Sequence, residues 1–399
     1  MNCEVCNQKK IIEVLNLSKQ PLCDDLIPLS SNKKNKKYDI KISFCRKCFT
    51  AHQKKKIKNK ILFPKNYHYR SKLTNNVLIG MYDLFKSSQK YLGKINNLKV
   101  LDIGCNDGSL LNFFKKITKY TIGVEPTDAA KDAYKFHDIY QEYFNNKTVS
   151  KILKKYGKID IIIFTNVFAH INNLNDLITN LRKLCHEKTT IIIENHYLNS
   201  ILKKNQFDTF YHEHPRTYSL KSFLFISKKL NLFISKVQFP ERYGGNIRVF
   251  LSRNKLSKKK IDSLLKKENN YLNQFKKMKI NIKKWIKNKK LLIDKLNKKY
   301  GPLVGKAFPG RASIIINLLK LDRNNIKAIY EKDNSPKVNH YVPGTNIKIL
   351  KEKYIFLENK HVPIINFAWH ISSEIKAYLR KIKINNKIID IISQKDFSS

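Results

Sequence analysis

No stretch of about 18 consecutive apolar residues occurs in the chain, so a bilayer-spanning helix is not expected. The opening residues, MNCEVCNQKKIIEV, lack the basic-then-apolar order of a secretion leader and put two cysteines where an apolar core would stand. A cytoplasmic location with no membrane partner is the expectation. No tandem repeat of fixed period is present, which argues against solenoid and propeller architectures. Acidic residues are scarce: 31 Asp and Glu stand against 79 Lys and Arg, for a formal charge of +48. Such an excess invites nucleic acid. The lysines are nevertheless spread through every segment and travel with Asn and Ile, as in KKNKKYDIK and INIKKWIKNKKLLIDKLNKK, and aromatics are not interleaved with them on one face. Nucleic acid is therefore not the favoured partner, and an acidic small substrate would be equally welcome in this field.

The length of 399 residues points to two or three units of roughly 100 to 200 residues, and a hydrophobic content of 42% can fill several cores. Residues 1–68 hold two pairs of cysteines, with Cys23 isolated between them, and show little helical periodicity. Apolar residues at helical spacing over 73–94 predict a helix leading into a second unit, 72–235. There the runs KVLDIG, YTIGVEP, IDIIIFTN and TTIIIENH alternate with amphipathic stretches. This pattern predicts βαβ units in a mostly parallel α/β sheet, with ligands at the carboxyl ends of the strands. A third unit, 236–399, begins with linker helices over about 256–299 and then resumes α/β alternation in PLVGKAF, IKAIYEK, YIFLEN and VPIINFAWH, with a turn at Pro343-Gly344.

The run Val100-Leu101-Asp102-Ile103-Gly104 reads as a buried strand ending in a glycine turn, closed by Gly108 before a helix. Glycines there allow a tight turn and close approach of a ligand. GxxxG rather than GxGxxG, with Asp102 just before the turn, favours S-adenosylmethionine over a dinucleotide. About 20 residues on, Glu125 ends the next strand, where a carboxylate can accept hydrogen bonds from two ribose hydroxyls. Asn106 lies within the turn. Asn166 and His170 fall on the loop after the third strand, where Asn166 is expected to meet the cofactor and His170 either to face the substrate or to pack as an ordinary loop histidine.

Beyond the fourth strand, QFDTFYHEHPRTYSL packs Tyr211, His212, Glu213, His214, Arg216 and Tyr218 into eight positions. Methylating a carbon beside a carbonyl requires removal of its proton, and imidazole suits that work. A neighbouring carboxylate can fix the imidazole tautomer, and a tyrosine hydroxyl can donate to the enolate oxygen. A surface loop that merely carries charge would read the same way. The helical HExxH spacing of a metal site is absent. The pairs Cys3-x-x-Cys6 and Cys45-x-x-Cys48, separated by 38 residues, offer four thiolates to a tetrahedral zinc ion. A closed four-sulfur site leaves no open position, so the zinc is expected to be structural.

Taken together, PLCDDLIP (21–28), YHYRS (67–71), LDIGCNDGSLL, GVEPT, NVFAHI, QFDTFYHEH, YGGNIRVF (243–250) and YVPGTNI (341–347) with FAWH (367–370) resemble the sugar C-methyltransferases, which act on nucleotide-linked 4-keto-deoxysugars. The resemblance covers nearly the whole chain and implies a zinc-bearing N-terminal domain, a class I methyltransferase domain and a Rossmann-like C-terminal domain. It implies His214 as general base, with Tyr211, Glu213, His170 and Tyr67 as its companions, and a nucleotide sugar as substrate. The chain departs from the family's GxGAxxK turn in Val304-Gly305-Lys306-Ala307-Phe308-Pro309-Gly310-Arg311, and has Asn246 where serine is usual. Rival expectations are methylation of oxygen or nitrogen on another small metabolite, or an RNA-binding methyltransferase. The oligomeric state is left open, a monomer being compatible.

Overall fold

Three sheets organise the computed structural model, which describes residues 1–397. At the N-terminus, β1 (Ile12–Pro21) pairs antiparallel with β3 (Lys37–Phe44), which pairs with β4 (Ala51–Gln53); the short β2 (Ile27–Pro28) leaves this sheet. The two-residue period of β3 turns Ile40, Ile42 and Phe44 inward, and a register shift in β1 between Glu13 and Leu15 lets the adjacent Val14 and Leu15 both join them. They share a core with Phe207, Phe210 and the 30-residue helix Tyr271–Tyr300. That helix, about 45 Å long, is more than a linker. Its stripe of Tyr271, Phe275, Met278, Ile282, Trp285 and Ile293 is buried between the N- and C-terminal units. Among the described residues no helix is long and apolar enough to cross a membrane.

The middle sheet takes in β5 (Val100–Ile103), β6 (Thr121–Val124), β7 (Asp138–Tyr140), β8 (Ile161–Thr165) and β9 (Thr190–His196). These five are parallel in the order β7-β6-β5-β8-β9. Ile, Val and Phe run nearly unbroken through β5, β8 and β9 because helices cover both faces. The chain then forms β10 (Arg216–Thr217), which pairs with β4 and so joins the N-terminal sheet. The middle sheet is completed by the hairpin β11 (Phe233–Gln238) and β12 (Asn246–Ser252), β12 lying antiparallel beside β9. The expected boundary at 235 cuts this hairpin. The apolar Ile247, Val249 and Leu251 of β12 sit in the middle core.

The C-terminal sheet comprises β13 (Leu303–Lys306), β14 (Ile326–Glu331), β15 (His340–Tyr341), β16 (Lys348–Lys351), β17 (Ile364–Asn366) and β18 (Ile388–Asp390). Its order is β18-β17-β13-β14-β16-β15-β2, with β2 contributed by the N-terminal unit. YIFLEN forms no strand; residues Glu352–Leu357 wind into a 3₁₀ segment with Ile355 buried and Leu357 exposed.

Candidate active site and zinc site

Strand order in the middle sheet reverses between β5 and β8, and ligands of such sheets bind at the carboxyl ends beside that point. Asp102, Gly104, Asn106, Gly108, Glu125 and Asn166 all lie there, at or just beyond the ends of β5, β6 and β8. Gly104 has φ +76°, and a Cβ on it would stand 2.5 Å from Val167 Cγ2. Both conditions select glycine. Burial, aided by Glu125, raises the pKa of Asp102 to about 8, and its Oδ1 has no partner in the protein. A buried carboxyl without a counter-charge suits a bound cationic group, as the methionine end of S-adenosylmethionine would supply. Glu125 accepts from the backbone N–H of Asn106 (3.1 Å), the N–H of Thr127 (2.9 Å) and the Thr127 hydroxyl (2.7 Å). A carboxylate has about four acceptor positions. These bonds leave room for one ribose hydroxyl rather than two.

The YHYRS segment closes over this turn. Asn106 Oδ1 accepts from Ser71 N at 2.9 Å, Asn106 Nδ2 donates to Tyr69 O, and Asp107 Oδ2 accepts from Lys72 N at 2.8 Å. On the other side, Asn166 adopts φ +55° and its Oδ1 accepts from Asn246 Nδ2 at 3.3 Å. Asn246 also donates to Glu194, which Arg242 and Arg248 neutralise within the core. The departure at Asn246 thus has a local use: its amide reaches both the loop and the buried carboxylate. Glu194 has no polar signature in sequence, being embedded in an apolar strand.

The acid-base cluster divides into two faces. His214 Nδ1 lies 2.9 Å from the carbonyl of Thr209. A carbonyl only accepts, so Nδ1 carries the proton and Nε2 keeps its lone pair. Burial, with Arg311 adding to it, pushes the His214 pKa down to about 4 against a raising contribution from the Thr209 bond. The rings of Tyr211, His170 and His196 surround it at centroid separations of 4.3, 4.9 and 5.1 Å. Both neighbouring imidazoles are pushed well below their usual value, by burial first and then by His214. Tyr211 is pushed up by burial and Glu213, so it keeps its hydroxyl proton.

Glu213 does not fix the tautomer of His214; the Thr209 carbonyl does. Glu213 is raised well above the carboxylate range, by burial first and then by Asp24, with Lys337 opposing. Burial thus favours its protonated form, which can donate. Tyr67 sits in the same corner, its hydroxyl donating to Asp24 Oδ2 at 3.2 Å. The other face anchors the N-terminal unit. His212 Nε2 meets the Tyr38 carbonyl at 3.1 Å, and the fully buried Arg216 donates to the Tyr218 hydroxyl and to Glu4. Sequence reasoning gave no role to His196, Asp24, Asp208 or Arg311. His196 ends a recognised strand run, and the rule that ligands gather at strand carboxyl ends is the signal that points to it.

The sulfurs of Cys3, Cys6, Cys45 and Cys48 all lie within 4.8 Å of one another, with Cys3–Cys48 at 3.4 Å and Cys6–Cys45 at 3.5 Å. Tetrahedral zinc with 2.3 Å bonds needs about 3.8 Å between sulfurs. The set fits zinc. Residues Asn7 and Phe49, each following the second cysteine of a pair, take φ of 59° and 58°, so both pairs turn the same way. His52 Nε2 stands 3.3 Å from Cys3 Sγ, outside the four-sulfur set.

Family models match three consecutive stretches: a zinc binding domain over 3–63, a methyltransferase domain over 68–234 and a C-methyltransferase C-terminal domain over 241–390. Among curated proteins, the C-methyltransferase NovU of Streptomyces niveus is 24% identical over 253 residues, covering 62% of this chain and 60% of that protein. The chain thus spans 60% of the length of this relative. A SAM-dependent methyltransferase from Archaeoglobus fulgidus is 16% identical, with 43% of this chain and 93% of that one covered and a TM-score of 0.34. The magnesium protoporphyrin IX methyltransferase of Synechocystis with bound SAM is 15% identical, with 44% and 81% covered and a TM-score of 0.33. Laid end to end over a four-thiolate site and a parallel α/β sheet, the three domain models make the chain similar, over nearly its whole length, to C-methyltransferases that join a zinc binding domain, a methyltransferase domain and a C-methyltransferase C-terminal domain.

Proposed function

We propose that the protein transfers a methyl group from S-adenosylmethionine to a carbon alpha to the ketone of a nucleotide-linked 4-keto-deoxysugar. The observation that carries this reading is the His214–Thr209 hydrogen bond, which presents a neutral imidazole with its Nε2 lone pair among the rings of Tyr211, His170 and His196. Transfer to oxygen or nitrogen needs no carbon base, whereas transfer to carbon does. The name of the relative NovU, a C-methyltransferase, supports the same acceptor.

In this reading Asp102, Gly104, Asn106, Gly108, Glu125 and Asn166 hold the methyl donor. When bound, S-adenosylmethionine supplies the electrophilic methyl group. His214 Nε2 takes the proton from the carbon beside the ketone. Tyr211, or Glu213 when protonated, donates to the oxygen as it becomes an enolate; S-adenosylmethionine held at the glycine turn would give up its methyl group to that carbon, its S–CH3 bond breaking to leave S-adenosylhomocysteine. Tyr67 and His170 border the substrate, and Phe63, stacked on His170 with centroids 5.2 Å apart, screens that side from water. The basic surface favours an anionic nucleotide carrier. A cytoplasmic site of action goes with this substrate.

Solvent-deuterium exchange tests the base. The wild-type protein incubated in heavy water with a 4-keto sugar nucleotide is expected to exchange the alpha hydrogen, and His214→Asn to lose about a hundredfold or more of that rate. Undiminished exchange in the variant contradicts the assignment.

A further inference from the structure

The departing C-terminal turn, Gly305 to Arg311, enters the cleft through its last residue. Arg311 is nine-tenths buried and reaches two consecutive residues of the middle unit: Nε lies 3.1 Å from Asp208 Oδ2, and Nη1 donates to Thr209 Oγ1 at 3.0 Å. Trp369, also from the C-terminal unit, donates its Nε1–H to the same Asp208 oxygen at 3.0 Å, and the guanidinium sits 5.7 Å from the Trp369 ring centroid. Asp208 and Thr209 are completely buried, so neither has water as an alternative partner. Thr209 is the residue whose carbonyl holds His214 Nδ1.

We propose that Arg311 is a positioning residue for the base: with Trp369 it clamps Asp208 and Thr209, and the clamped Thr209 carbonyl decides which nitrogen of His214 is free to accept a proton. The inference rests on the reading of His214 as general base. It gives the C-terminal unit a part in proton abstraction besides any role in holding the substrate. An imidazole without a fixed partner populates both tautomers, and only the Nδ1–H form leaves Nε2 available. A planar fork is what the clamp requires, since one guanidinium must meet a carboxylate and a hydroxyl at once. Arg311 also acts on His214 directly, as one of the causes that keep its imidazole neutral.

Long-range proton–nitrogen NMR of the full-length protein reads the tautomer without reference to turnover. In the wild type His214 is expected as the pure Nδ1–H form, and in Arg311→Met as a mixture. The same variant is expected to lose at least tenfold in kcat with little change in KM for the methyl donor, while the acid limb of its pH profile moves upward. Thr209→Val, which removes only the hydroxyl contact and keeps the Arg311–Asp208 pair, provides a second reading if Arg311→Met fails to fold. It is expected to shift tautomer and kcat in the same direction, and Thr209→Ser to restore both. A pure Nδ1–H signal with unchanged kcat in Arg311→Met, or in Thr209→Val if only that variant folds, overturns the proposal. Full deuterium exchange by His214→Asn would instead overturn the base reading, and the tautomer measurement separates the two failures.

Discussion

At the scale of single residues, burial sets the chemistry of the cleft more than charge does. Burial holds His214 near pKa 4, so that it is an unprotonated base at neutral pH, and pushes Glu213 upward, toward a protonated donor. Two consequences can be measured. The kcat/KM profile, which reports the free enzyme, is expected to show its acid limb near pH 4 instead of near 6.5. A limb at 6.5 would mean a solvated histidine. The linkage sign follows from the same shift: between pH 6.5 and 4 the unfolded chain binds the proton that folded His214 refuses, so this group's contribution to stability is complete above 6.5 and is lost as pH falls through 4. For Glu213, a glutamine keeps an N–H donor where the acid had an O–H. Glu213→Gln is therefore expected to retain activity within about tenfold, and Glu213→Ala to fall about a hundredfold or more, the usual scale of acid–base contributions. Equal losses in initial-rate assays would show that the carboxylate, not the acid, is needed. The residues of this corner were legible in YHEH because histidine, acid and phenol stand together. Their division into a chemical face and an anchoring face was not, since Arg216 and His212 differ from their neighbours only in what the N-terminal unit places opposite them.

Elements carry the next set of constraints. The glycine turn could be read directly because a strand, two glycines and a following acidic strand end make a local pattern. Gly104→Ala tests it. The new Cβ would enter Val167 and force a left-handed backbone on alanine, which costs about 1–2 kcal/mol before the collision is counted. Calorimetry is expected to show affinity for S-adenosylmethionine reduced tenfold or more, and unchanged affinity would contradict the turn's role. The junction of β4 with β10 is a different matter. Arg216 pairs with His52 and Thr217 with Ala51, Gln53 Nε2 donates to the Tyr211 carbonyl, and the Thr50 hydroxyl donates to Ser222. The strand that leaves the second cysteine pair thus grips the segment bearing Tyr211 and His214. Two-residue β10 has no periodicity to detect, so this pairing was invisible in sequence. It implies that removing zinc with a chelator lowers kcat strongly while S-adenosylmethionine binding, on the far elements β5 and β6, persists. Metal-free protein with full kcat would break the link.

On the scale of the whole molecule, the three units are interwoven. The N-terminal unit lends β2 to the C-terminal sheet and receives β10 from the middle one, while the helix Tyr271–Tyr300 packs against both ends. Local patterning showed the α/β, parallel character of the middle sheet. It could not show the exchanged strands, because two-residue strands are specified by their partners, nor the meeting of Arg311 with Asp208 across about a hundred residues of chain. That meeting brings a basic and an aromatic group of the C-terminal unit against the segment whose Thr209 carbonyl holds His214. The central claim, that this cleft methylates carbon, is tested most directly by transfer from carbon-13-methyl S-adenosylmethionine to a panel of 4-keto sugar nucleotides, followed by NMR of the product. The account predicts a labelled methyl bonded to the carbon beside the ketone. A label found on oxygen or nitrogen would contradict it.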